Sequence, residues 1–266
     1  MSEIKKTLEI LKARWPEVTL IIGLTVLSLF TNRLLQILKT TINPLYVLVI
    51  PILGCSMALL IITTLLQIGF KRTVYLQGQK RQSPVALLRQ GKHFFWRLVG
   101  FGLIYMGVLV ILAWLTFLTV KQFTSIETSF WETAKASPIA YQLCSTVPML
   151  ILIKPFLFIP SLIVVLDCRI FESFRLLKLC RLRDAKELTI LFLVSMVASF
   201  LWVYLPTMRS ASTIPQYILV TAQSFAQHFI SLMMAVMAVR FVASQNLVYD
   251  NGSKQLDSQD SLKPSI

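Results

Sequence analysis

Acidic side chains are scarce in this chain: twelve Asp and Glu stand against 26 Lys and Arg, and charged residues of both signs make up only 14% of 266 positions. Soluble domains carry about a quarter charged residues. With 56% hydrophobic residues and a mean hydropathy of +0.71, the composition excludes a soluble globule and points to a polytopic membrane protein. Cysteine is also sparse. Cys55, Cys144, Cys168 and Cys180 form no CxxC pair, and the two histidines, His93 and His228, lie far apart. Nothing in this pattern argues for a disulfide framework, a zinc site or a haem site, and no cofactor is expected. The chain lacks HExxH, the phosphate-cradling GxxxxGK[ST] and the GxSxG elbow, which lowers the expectation of an enzyme. Residue 2 is Ser, not Gly, so myristoylation is not indicated.

What is abundant is apolar sequence in runs. A span needs about 20 mostly apolar residues to cross about 30 Å of hydrocarbon. Six runs qualify: 18–38, 45–70 with Pro51 and Gly54 near its start, 94–120, 147–166 with an extra turn from Pro138, 188–205 and 217–242. The first has no small-residue cleavage pattern after it, only Thr31, Asn32 and Arg33, so it reads as a retained span. The expected fold is an all-α integral membrane protein with six transmembrane helices and cytoplasmic amphipathic helices. Residues 1–17 would be an amphipathic helix lying on headgroups through Ile4, Leu8, Leu11 and Trp15, with Pro16 marking the turn into the bilayer. Residues 18–245 would form the membrane domain. The polar tail 246–266 lacks an apolar period and reads as disordered.

The net charge of +14 would elsewhere suggest nucleic acid. Here its placement gives a different reading, because cytoplasmic loops accumulate Lys and Arg. Twenty of the 26 cations fall in the N-terminal segment, the links after spans two and four, and the C-terminal part. Five fall on the other face (Arg33, Lys39, Lys121, Lys135, Arg209), and Lys154 lies inside a span. Both termini are therefore predicted to be cytoplasmic, in a bacterial-type inner membrane, with no nucleic-acid partner.

The two basic links resemble each other at a constant offset of 89 residues. Leu87-Leu88-Arg89 aligns with Leu176-Leu177-Lys178, Lys92 with Arg181, and Arg97 with Lys186. A repeat of a span–surface helix–span unit would produce this. Ser83-Pro84 and Ser137-Pro138 both read as an N-cap followed by proline at the first helical position. Gly100, Gly102 and Gly107 read as close helix packing in span three.

Candidate functional residues fall into two groups. Lys154 lies about 10 Å below the outer end of span four, followed by Pro155 and Pro160, which should kink the helix. Gln223, Gln227 and His228 form a polar ridge on span six, and the arithmetic of helix rise sets Gln223 at a similar depth. Together they make a candidate intramembrane polar site; the ordinary alternative is a snorkelling lysine and structural hydrogen bonds. Arg175, Lys178, Arg181 and Arg183 are candidate contacts for anionic headgroups. Asp167, beside Arg169 and Glu172, reads as an interfacial ion pair where span four leaves the membrane.

The block from Pro160 to Asp167, then Phe171-Glu-Ser-Phe-Arg-Leu-Leu-Lys178 and a further hydrophobic run, resembles the YciC-type bacterial inner-membrane proteins. It is also similar to the membrane domain attached to some glycerophosphodiester phosphodiesterases. The resemblance covers roughly residues 45 to 245 and is mostly architectural. It implies a six-span bundle and no established catalytic residues. Three function classes follow. The leading one is a non-enzymatic membrane component that organises lipids or a membrane-protein partner through its basic inner face. The second is a small transporter using the region of Lys154 and Gln223. The third is an intramembrane lipid enzyme depending on Asp167 or His228.

Overall fold

The computed structural model describes residues 2–41, 46–124, 138–203 and 214–245, and within these it is all helical. Its helices are α1 (Glu3–Ala13), α2 (Trp15–Thr41), α3 (Tyr46–Gln77), α4 (Pro84–Thr124), α5 (Pro138–Ile151), α6 (Ile153–Leu166), α7 (Ile170–Leu176), α8 (Lys186–Val203) and α9 (Ile214–Ser244). Three helical stretches among the described residues are long and apolar enough to cross a membrane: Ile50–Gln77, Pro84–Gln122 and Thr221–Ser244. Two shorter apolar helices, Trp15–Ser28 and Ile153–Leu166, accompany them. The Ser137 cap, Lys135, Arg209 and the tail from Asn246 lie outside the described residues.

α3 and α4 form an antiparallel hairpin held at very short range. A Cβ built on Gly69 would lie 1.9 Å from the Leu87 carbonyl oxygen, and one on Gly91 would lie 2.0 Å from that of Leu65. Only glycine lets two helix backbones approach this closely. Gly102 and Gly107, expected to pack closely, have no atom within 4 Å of such a Cβ, and Gly100 meets only the tip of Ile170. The close-packing glycines are therefore nearer the start of the hairpin than expected. Ser83 does cap α4, its Oγ accepting from the Ala86 N–H at 3.3 Å. The helix then runs unbroken for 41 residues, so Arg89, Lys92 and Arg97 of the first basic link lie in its first turns and not on a separate surface helix.

The fourth expected span is broken in two. Leu152 leaves helical geometry (φ −93°, ψ 13°) between α5 and α6. The cause is Pro155, whose ring collides with the carbonyl four residues back, at Ile151, and which has no N–H to donate to it. α6 is the packed centre of the molecule: Phe158, Ile159, Leu162, Ile163 and Val164 are fully buried. Phe158 stacks on Phe241 of α9 at 5.2 Å. Phe156 meets Tyr105 of α4 while Asp167 meets Arg97, so α6 runs antiparallel to α4.

The helix ends carrying the four cation-rich segments gather together. Arg240 of α9 pairs with Glu3 at 3.1 Å, and the Ile4 N–H donates to Glu187 of α8 at 2.8 Å. Arg81 Nε donates to the Ala13 carbonyl, and the Gln82 N–H donates to Glu17 at 2.6 Å. α1 thus docks onto the bundle instead of lying apart from it. Its inward face is Thr7, Ile10 and Leu11, continued by the buried Arg14; Leu8 and Trp15, on the stripe expected to face headgroups, are 42% and 45% exposed. Arg14, directly after α1, is completely buried. It bonds Glu17 through Nε at 2.8 Å and Thr73 Oγ1 through Nη2 at 2.7 Å, and it lies 4.5 Å from the Phe70 ring. Burial pulls the Arg14 pKa below its ordinary value, and the Glu17 carboxylate opposes that pull.

Candidate functional site

The cation-rich end is built around the end of α6. Asp167 adopts the left-handed conformation (φ 51°, ψ 33°) that closes the helix, a geometry Asp tolerates better than most side chains. Arg72 of α3 caps the carbonyls this exposes, donating from Nη1 to Val164 O at 2.7 Å and Val165 O at 2.9 Å. Arg97 of α4 binds the Asp167 carboxylate and also its backbone oxygen, the latter at 3.1 Å. His93, one turn earlier, holds Nε2 at 3.3 Å from both carboxylate oxygens. Asp167 is thus the anchor on which Arg97 and His93 converge from α4, with Arg72 behind them. Sequence reasoning placed Asp167 in an ion pair but assigned it to its neighbour Arg169. The partners lie 70 and 74 positions earlier, a separation no local pattern reveals.

The expected surface helix after Asp167 is only seven residues long. The Arg169 N–H donates to Glu172 at 2.6 Å, α7 ends at Leu176, and a series of turns follows to Ala185. α7 is tied to the bundle through Ser173, Phe174 against Phe101, and Ile170 against Gly100. Cys168 and Cys180 on either side are fully buried, and burial pushes the Cys168 thiol up to about 11. Arg175, Lys178, Arg181 and Arg183 all remain exposed. None of the four makes an ion pair among the described residues.

The residues of the other expected site lie on α6 and α9. Lys154 is half-buried near the start of α6, and its charge reaches the Cys180 thiol. Phe158, one turn on, meets Phe241, whereas Gln223 lies 18 residues earlier on α9, about 27 Å along the axis. Gln223 is half-buried and Gln227 exposed; His228 is half-buried, with Nδ1 2.6 Å from the Ser224 carbonyl of its own helix.

No known family, curated protein or solved structure matches this chain. Among the described residues no group of three or more His, Cys, Asp or Glu is placed to hold a metal ion.

Two clefts flank α1 at the same end, of about 620 and 890 Å³, with Lys6 and Arg240 lining both. Glu3, paired with both of these cations, lines the larger cleft. Burial raises the Glu3 carboxyl, but Lys6 and Arg240 outweigh it and hold the carboxyl below its ordinary value. A depressed carboxylate stabilises the fold above its unfolded pKa of about 4.3 and stops doing so as pH falls through the folded value. The docking of α1 is therefore expected to loosen below about pH 4. Glu3→Gln is expected to reproduce this at neutral pH, as faster amide exchange over residues 3–13 with exchange in α6 unchanged.

Proposed function

We propose that this chain is a six-span membrane component, with both termini in the cytoplasm, whose cation-rich inner end gathers anionic lipids. The observation that carries this reading is the exposed quartet Arg175, Lys178, Arg181 and Arg183, which makes no ion pair among the described residues and lies beside the half-exposed Phe174 and the exposed Phe171 and Leu179. Cations flanking exposed apolar side chains suit a surface pressed on headgroups, where each contributes about 1 kcal/mol toward anionic lipid. The apolar faces of α3, α4 and α8 supply the membrane-embedded part: Ile50, Leu103, Val110 and Ile190 are at least 59% exposed, as lipid-facing side chains should be.

The 89-residue repeat gains a second line of support. Gly78 and Asp167 are the two residues with positive φ among those described, they lie 89 positions apart, and they close α3 and α6 respectively. Leu87-Leu88-Arg89 is helical while Leu176-Leu177-Lys178 runs out of α7 into a turn, so the second unit has diverged after its helix end. This arrangement supports the reading of the chain as an internally duplicated span–helix–span unit.

Replacing Arg175, Lys178, Arg181 and Arg183 together with Gln is expected to lower the anionic phospholipid that co-purifies with the protein from a mixed-lipid membrane. The unfolding temperature in detergent should be unchanged. Equal enrichment in the wild type and the quadruple variant would contradict the proposal.

A further inference from the structure

We propose a discrete phospholipid site where α4 enters its apolar run: the headgroup phosphate of an anionic phospholipid sits against Lys92, Arg97 and Arg169, and its upper chain lies between Trp96 and Phe171. This inference rests on the lipid-gathering reading above and narrows it to one place. Trp96 and Phe171 are the most exposed aromatic side chains described, at 77% and 76%. Each is close in sequence to one member of the Arg97–Asp167 pair: Trp96 directly precedes Arg97 on α4, and Phe171 follows Asp167 by four residues, in the first turn of α7. Solvent does not favour two large bare rings beside one ion-pair cluster, whereas tryptophan is at home at the headgroup level of a membrane.

The charges beside the rings select the sign of the ligand. Asp167 is already engaged by Arg97 and His93, with the Arg72 charge behind it, and the Glu172 carboxylate is turned to the Arg169 N–H. Lys92 and Arg169 are exposed and make no ion pair among the described residues. Arg97 uses Nη1 on Asp167 and stays one-third exposed. Asp167 thus fixes the position of Arg97 and leaves an excess of positive charge facing outward. A charge-assisted bond from a guanidinium fixed in this way is the usual means of holding a phosphate.

The site is tested with the full chain in nanodiscs, using phosphatidylglycerol or phosphatidylcholine with brominated acyl chains, which quench a tryptophan they touch. The Trp96 signal is the difference between wild type and Trp96→Phe. It is expected to be quenched at lower mole fraction by brominated phosphatidylglycerol than by brominated phosphatidylcholine. Lys92→Gln and Arg169→Gln, both exposed and so compatible with folding, should each raise the phosphatidylglycerol fraction needed by about five-fold. Excess inorganic phosphate should not reverse the quenching; reversal would assign the cations to a free anion and overturn the lipid site. Equal quenching by both lipids would also overturn it. If phosphatidylglycerol still co-purifies in that case, the general lipid reading stands alone; if it does not, both fall.

Discussion

Glu17→Gln is expected to be the most damaging conservative substitution in this protein, costing about 3–5 kcal/mol and lowering the unfolding temperature by on the order of 10 °C. Arg14 is completely buried, and Glu17, 5% exposed, is its only charged partner among the described residues. Removing the negative charge leaves a guanidinium inside the packed corner between α1, α2 and α3. One of its nitrogens, Nη1, is already without a hydrogen-bond partner there. Glu17 also accepts from the Gln82 N–H, so the same change loosens the loop between α3 and α4. Replacing both partners with apolar residues, Arg14→Met with Glu17→Leu, should recover most of the loss, because no lone charge then remains buried. The check is thermal unfolding of the purified variants in detergent. A single variant within about 1 kcal/mol of wild type would show that the pair is hydrated in solution.

Gly91→Ala is expected to pry apart α3 and α4 at a net cost of about 2 kcal/mol. Alanine gains about 1 kcal/mol of intrinsic helix preference over glycine. Against this stands a methyl placed 2.0 Å from the Leu65 carbonyl oxygen, a backbone atom that cannot rotate away. Overpacking of this kind costs about 1–3 kcal/mol and sometimes more. Gly102→Ala, with open space around the new methyl, should be neutral or mildly stabilising. The contrast separates steric approach from helix propensity: if both substitutions stabilise, the hairpin is not held at glycine contact distance. Gly91→Leu should abolish the hairpin packing altogether.

The helical architecture was legible because hydrocarbon demands long apolar runs and each run declares itself locally. Ser83-Pro84 marked the start of α4 correctly for the same reason: a cap is a property of adjacent residues. The gathering of the N-terminal segment, both links and Arg240 at one end follows from a charge count along the chain. The candidate site was far less legible. Arg97 and His93 find Asp167 only through the fold, and nothing near Asp167 names them. The kink expected from Pro155 is present as the break at Leu152, but helix rise alone carries no information on how α6 sits against α9. In α1, Leu8 and Trp15 of the expected headgroup stripe stay exposed, while Leu11 turns inward with Thr7 and Ile10 beside the buried Arg14–Glu17 pair. The Arg14–Glu17 spacing at the start of an apolar run was a signal available in the sequence.

The central claim is that the turn after α3 and the turns after α7 lie on the same, cytoplasmic side of a membrane that the apolar helices cross. Single cysteines at Gln79 and Lys178, both exposed, test it directly in a background with the native cysteines replaced by serine. A membrane-impermeant maleimide should label neither site in intact cells and both in inverted vesicles. Labelling of the two sites from opposite faces would contradict the account.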